Sequence, residues 1–265
     1  MAQCKLSVNV NKIATLRNSR GGNIPNLLQV VSDLIDFGAE GITVHPRPDE
    51  RHIKYQDVFD ISRFLKKYNK DLADSDKVEF NIEGYPNPSF LKLVLTVIPD
   101  QVTLVPDPPD AITSNAGWKV HKNKNFLKHV IQKLHKSNIR VSLFIDPATW
   151  SKQELDALLD VNTDRVELYT EKYAQSYPTK KRKLATDNYK KVATEVWQRG
   201  IFINAGHDLN SENLFYLLKQ IPSIIEVSIG HALISDSLYH GLKKTIEIYS
   251  KEINRANSTN SRTDR

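Results

Sequence analysis

Histidine, glutamate and asparagine recur where short β-branched runs end in this sequence. Asn9 closes Leu6–Asn9, His45 closes Gly41–His45 and Glu83 ends the Val78–Ile82 run. Glu167 sits near the end of Arg165–Tyr169, His207 follows Ile201–Asn204, and Gly230-His231 follows Glu226–Ile229. Histidine and glutamate are the side chains that move protons near neutral pH. Arg17, Arg20, Arg47 and Arg51 add planar forks that match phosphate or carboxylate. Glu167 is embedded in the apolar VELY run, where a bare charge is costly, so it needs a hydrogen-bonding or cationic partner. The strand–glycine–helix step at Gly230-His231 presents backbone N–H groups to an anion. Each feature has a plain structural alternative: a histidine that only caps a strand, or an arginine in a surface ion pair. Their convergence on one kind of position argues for acid–base work on anionic substrates.

The elements that must hold them alternate strictly. Runs at Leu6–Asn9, Gly41–His45, Val78–Ile82, Val102–Val105, Arg140–Ile145, Arg165–Tyr169, Ile201–Asn204 and Glu226–Ile229 read as strands. Several are apolar almost throughout (GITV, VSLFI), as buried parallel strands are. Between them Pro25–Phe37, Gln56–Tyr68, Pro88–Val97, Asn125–Lys136, Ser151–Leu159, Asp187–Arg199, Ser211–Gln220 and Ser235–Ser250 carry helical apolar spacing. Asn87-Pro88, Ser151 with Glu154, and Ser211 read as helix starts. The segment after the first strand, NVNKIATLRNSRGG, lacks the glycine fingerprint of an open dinucleotide-binding sheet. The expectation is a single-domain α/β protein, a (β/α)8 TIM barrel over residues 1–250, with a disordered tail over 251–265. In such a barrel all of these strand ends face one rim, where barrel enzymes keep their chemistry.

Composition narrows the classes. The chain has 265 residues, 40% hydrophobic and 26% charged, with a formal net charge of +6. One cysteine, Cys4, permits no internal disulfide and no cysteine metal site. The pattern holds no HExxH and no acidic cluster of metal type, so no metal is expected. The longest apolar stretches, Leu91–Ile98 and Val141–Ile145, fall far short of the ~20 residues that span a bilayer. No signal peptide is visible, which leads to the expectation of a cytoplasmic protein without membrane partners. Positive charge is spread out; the one dense run, Lys180-Lys181-Arg182-Lys183, reads as a solvated helix start, so no nucleic-acid partner is expected. Asp107 and Asp110 lie in a proline-rich stretch that reads as a stiff rim element, and His121, His129, His135 and His240 fall on helices.

Five separated stretches carry a resemblance. Val8-Asn9 with Ile13–Asn18 and Arg20-Gly21, Gly41–Arg47 with Arg51-His52-Ile53, Val141–Asp146, Asn204–His207 and Ile229–Ala232 occur in the order found in the pyridoxine 5′-phosphate synthase family. The chain resembles that family from about Leu6 to Leu242. The resemblance implies a (β/α)8 barrel forming a homo-octamer, with no cofactor. It also implies condensation of 1-deoxy-D-xylulose 5-phosphate with 3-amino-2-oxopropyl phosphate to pyridoxine 5′-phosphate, phosphate and water, in de novo vitamin B6 biosynthesis. By motif match His45 and Glu83 correspond to proton acceptors, His207 to the proton donor and Glu167 to the carboxylate that stabilises the transition state. Asn9, Arg20, Gly230 and His231 correspond to the aminoketone-phosphate site, and Arg47, His52 and Thr113 to the deoxyxylulose-phosphate site.

The match is imperfect at Asn11 and Lys12, where the family more often has aspartate and histidine, and at Asp208, where it has glycine. No role is carried over to these three. Two other readings share the barrel: a phosphosugar epimerase or aldolase, for which Lys12 is the available Schiff-base lysine, and a non-catalytic phosphosugar-binding barrel.

Overall fold

Alternation along each strand decides the architecture. In the computed structural model, which describes residues 3–107 and 116–263, eight parallel strands close into a barrel in sequential order. They are β1 (Lys5–Asn9), β2 (Gly41–Val44), β3 (Glu79–Gly84), β4 (Gln101–Leu104), β5 (Arg140–Ile145), β6 (Arg165–Tyr169), β7 (Phe202–Gly206) and β8 (Ile224–Ile229). β8 pairs back onto β1, with Ser7 opposite Ser228, so no strand edge is left open.

Helices cover the outside. They are α1 (Asn11–Asn18), α2 (Leu27–Asp36), α3 (Tyr55–Tyr68), α4 (Pro88–Val97), α5 (Val120–His135), α6 (Lys152–Val161), α7 (Glu171–Ser176), α8 (Arg182–Trp197), α9 (Leu214–Gln220), α10 (His231–His240) and α11 (Leu242–Thr263). The Asn87 side chain caps α4 by accepting the Phe90 N–H at 2.9 Å, and Ser151 caps α6, as their residue types require.

One face of every strand is apolar and packs against these helices: Leu6 and Val8, Ile42 and Val44, Phe80 and Ile82, Val102 and Leu104, Val166 and Leu168 all belong to one buried core. The alternate residues point inward and are mostly polar. Ser7 and Thr43 share a hydroxyl contact of 2.8 Å, and Thr103 donates to Asn81 at 3.0 Å. Most of the hydrophobic stabilisation therefore lies in the shell between strands and helices, and the barrel lumen is free to be chemical.

The structure departs from the sequence reading in three places. α1 and α7 are additional to the eight helices read from the sequence; both are short, and α1 buries only Ile13, Ala14 and Arg17. The single helix expected over Ser235–Ser250 is two, broken at Gly241, whose φ of 75° suits glycine. The tail expected to be disordered from residue 251 is instead helical, since α11 continues to Thr263. Its polar composition hides a stripe of Ile246, Tyr249, Ile253 and Ala256 at helical spacing, all buried. Asn257 ties the helix to the barrel start by accepting the Cys4 N–H at 3.1 Å.

Candidate active site

The inward residues form a floor, a middle layer and a rim. On the floor, Arg165 Nη1 lies 3.2 Å from Glu226 Oε2 and 3.5 Å from Glu79 Oε1, and Asn204 Nδ2 donates to Glu226 Oε1 at 3.2 Å. Arg140 pairs with Glu79 and donates to Gln101 Oε1 at 3.0 Å. Burial, then the neighbouring Glu79 carboxylate, pushes the Glu226 carboxyl up to about 8, against the pull of Arg165 and Arg140. Sequence reading passed over this network. Its signal was there: charged residues at inward positions near the starts of four different strands, β3, β5, β6 and β8.

At the rim, β1, β2 and β3 bring three expected residues into contact. Asn9 Nδ2 donates to Glu83 Oε2 at 3.4 Å, and His45 Nδ1 lies 3.6 Å from the same oxygen. Glu83 is inside β3 rather than just after it, which turns its side chain into the lumen. Asn11 organises this corner. Its N–H donates to Asn9 Oδ1 at 3.0 Å, and its own Oδ1 accepts the His45 N–H at 3.0 Å. A single asparagine at the start of α1 thus fixes both the Asn9 amide and the main chain at His45 beside Glu83.

From β6, Glu167 projects into the middle of the lumen with 3% of its surface exposed. Burial first, then the Glu83 and Glu226 carboxylates, raise its carboxyl well above the usual range, so it favours the protonated form. It lies against Gly206 of β7, where any side chain would displace it.

His207 follows directly, at φ 81°, with Asp208 at φ 58°. Two consecutive non-glycine residues in the left-handed region need support. Thr170 supplies it, its hydroxyl reaching the Gly206 carbonyl at 2.8 Å and also the His207 carbonyl. Tyr169 packs edge-on against the His207 ring at 4.8 Å between centroids. Asp208 Oδ2 stands 3.4 Å from His207 Nδ1, and that interaction, with help from His231, holds the Asp208 carboxyl below the usual range. Asp208 therefore faces the His207 ring across the turn. Gly230 brings the end of β8 against Asn9, where a Cβ would lie 3.0 Å from the Asn9 Cβ, and exposed His231 opens α10.

The anion-binding candidates divide. Arg47 is buried and pairs with Asp107 at 3.0 Å, which fixes it at the rim. His52 packs edge-on to His45 at 6.4 Å between ring centroids. Arg17, read from sequence as a possible anion fork, is instead a buried partner of Asp57 at 2.6 Å. Arg51 pairs with Asp49 at 2.7 Å at the surface. Arg20 lies exposed just beyond α1, and among the described residues no side-chain contact joins it to the His45–Glu83 corner. Thr113 and Asp110 lie outside the described residues. Among the described residues no group of three or more His, Cys, Asp or Glu could hold a metal ion, and no helix is long and apolar enough to cross a membrane.

Residues 6–255 match the family model described as "Pyridoxal phosphate biosynthesis protein PdxJ". The chain belongs to the pyridoxine 5′-phosphate synthase family. It is 51% identical over 249 residues to the pyridoxine 5′-phosphate synthase of Cytophaga hutchinsonii, covering 94% of this chain and 98% of that one. It is 48% identical over 249 residues to that of Flavobacterium johnsoniae, covering 94% and 99%. Among solved structures, a tryptophan synthase from Mycobacterium tuberculosis superposes with a TM-score of 0.63 at 12% identity, covering 95% of this chain and 93% of that one, a likeness of fold alone. The protein is thus an enzyme of vitamin B6 biosynthesis, a pyridoxine 5′-phosphate synthase, and the readings as an aldolase or a non-catalytic barrel are set aside.

Proposed function

We propose that the protein condenses 1-deoxy-D-xylulose 5-phosphate with 3-amino-2-oxopropyl phosphate, and that the rim residues above carry the proton transfers. The observation that carries this reading is the His45–Glu83–Asn9 corner above a buried Glu167. Attack of a primary amine on a ketone, followed by loss of water and phosphate, needs several proton movements in one pocket. Glu83 and His45 share one oxygen contact and so can accept protons in turn, and His207 across the lumen returns them. Glu167 in its acid form donates a hydrogen bond to oxygen that becomes negative, without bringing a competing charge.

The two phosphates divide between two ends of the rim. The aminoketone phosphate fits Asn9, Gly230 and His231, at the β8–α10 step, with Arg20 closing over it. The deoxyxylulose phosphate fits Arg47 and His52, with Thr113 completing its site. Holding both substrates by their phosphates supplies the orientation that a two-substrate condensation requires. The family resemblance further suggests a cytoplasmic homo-octamer that works without a cofactor. The test is turnover by the purified, chelator-treated protein with both substrates and with each dephosphorylated analogue. Pyridoxine 5′-phosphate should form only from the doubly phosphorylated pair. Equal turnover of either analogue would overturn the two-site assignment.

A further inference from the structure

We propose that Arg17 is a positioning residue of the active site. Together with Asp57 and Asn18 it clamps the main chain at His52, so that the imidazole is held as the neutral tautomer with its proton on Nε2, a fixed hydrogen-bond donor to a substrate oxygen. The inference rests on the assignment of His52 to the substrate pocket made above.

The tautomer follows from one contact. The Ile53 N–H donates to His52 Nδ1 at 2.9 Å. An amide N–H can only donate, so Nδ1 presents a lone pair and the ring proton belongs on Nε2. A ring folded onto the next residue's own amide must be kept there, and three side chains do so. Asn18 Nδ2 donates to the His52 carbonyl at 2.7 Å, and Arg17 Nη2 reaches the same oxygen at 3.4 Å. Arg17 is itself immobilised by a two-pronged pair with Asp57, at 2.6 and 2.8 Å, and by bonds from Nε and Nη2 to Asn18 Oδ1 at 3.0 and 2.9 Å. Asp57, in the first turn of α3, also accepts the Lys54 N–H at 2.8 Å. The guanidinium is buried and engaged on every nitrogen, so it has little left to offer a substrate anion.

The surroundings of the ring agree. It faces His45 and Arg47 from the end of β2, Lys12 from α1 and Arg51 from its own loop, all cationic or capable of becoming so. The nearby carboxylates are occupied, Asp57 by Arg17 and Asp49 by Arg51, while Glu83 lies beyond His45. Burial first, then these cations, lower the His52 imidazolium to about 3. His52 therefore stays a neutral donor where His45 and His207 exchange protons, and three rim histidines have two different jobs.

Neutron diffraction from the deuterium-exchanged wild-type protein near pH 7 tests the tautomer without reference to activity. Deuterium on Nε2 alone is expected; deuterium on Nδ1 overturns the proposal, whatever the enzyme turns over. Kinetics test the clamp. His52→Gln, which keeps an N–H donor near the Nε2 position, should lose less than about tenfold in kcat/KM, and His52→Met about 10²-fold or more. Arg17→Met should gain a new histidine ionisation near pH 6.5 in its pH–rate profile as the ring is released, while Arg17→Lys should show it less. An Arg17→Met enzyme with an unchanged pH profile and only a lowered Tm would reduce Arg17 to a structural residue. If that variant fails to fold, the neutron map and the His52 pair still decide. Absence of pyridoxine 5′-phosphate formation by wild type, with deuterium on Nε2, would count against the substrate assignment and leave the clamp standing.

Discussion

The Glu167 carboxylate rests on the Cα of Gly206: a methyl group built there would lie 2.1 Å from Glu167 Oε1. Glycine at the end of β7 is thus what gives the buried acid of β6 its place. Gly206→Ala should push the carboxyl aside. The clash is with the far end of a side chain, so the barrel should still close and Tm should change by only a few degrees. A shift of about 1 Å in a catalytic group can cost about 10²-fold, and kcat should fall on that scale with KM little changed. Steady-state kinetics beside a thermal melt checks both halves. A large loss of Tm with kcat per folded molecule intact would place Gly206 in the framework only.

Arg47 and Arg20 should behave differently when replaced. Arg47 and Asp107 are buried together, and breaking a buried ion pair costs about 3–5 kcal/mol. Arg47→Met should therefore lower stability and raise KM for deoxyxylulose phosphate. Arg20 is exposed, so Arg20→Met should raise KM for the aminoketone phosphate and leave the urea midpoint in place. An increase in the same KM for both variants would remove the two-site division.

The barrel floor predicts a pH dependence of stability. Folded Glu226 holds its proton up to about 8, more tightly than the usual 4.5. The folded state therefore binds more protons than the unfolded one between those values. The associated stability is whole below about pH 4.5, declines as pH rises and is lost once pH passes about 8. Urea midpoints at about pH 5 and pH 9 should fall more for wild type than for Glu226→Gln, which cannot titrate. Parallel lines would show that Glu226 ionises in the fold as freely as outside it.

Lys12 sits exposed at the start of α1, facing His52. It is placed to attract a phosphate. Lys12→Met should raise a substrate KM several-fold, and borohydride with either ketone should leave Lys12 unlabelled. A reduced adduct on Lys12 by mass spectrometry would restore covalent imine chemistry.

Most of the barrel was legible because each strand carries its own apolar face and each covering helix its own stripe, signals that sit within one element. β5 and β6 fall on their expected residues, and the rim positions of Asn9, His45 and Glu83 follow from where β1, β2 and β3 end, as the lumen position of Glu167 follows from β6. What the sequence concealed depends on partners distant along the chain. Arg17 looks like any anion-binding arginine until α3 places Asp57 against it. Glu79 and Glu226, far apart along the chain, become one network only when the sheet closes. Asp208 departs from the family glycine and reads as a hazard to phosphate, yet the left-handed turn at His207 brings the two side chains together. The helical tail was missed because Asn, Ser and Thr dominate its composition while the stripe that buries it is thin.

The central claim is that His45, Glu83 and His207 carry the proton transfers from three different strands. Its most direct measurement is a single-turnover assay of His45→Gln, Glu83→Gln and His207→Asn with both substrates, reading pyridoxine 5′-phosphate and released phosphate. Asparagine is chosen at position 207 because it tolerates the left-handed backbone there. Each variant should bind both phosphates and form product about 10²-fold or more slowly than wild type, with Tm nearly unchanged. Product formation at near wild-type rates in all three would contradict the account.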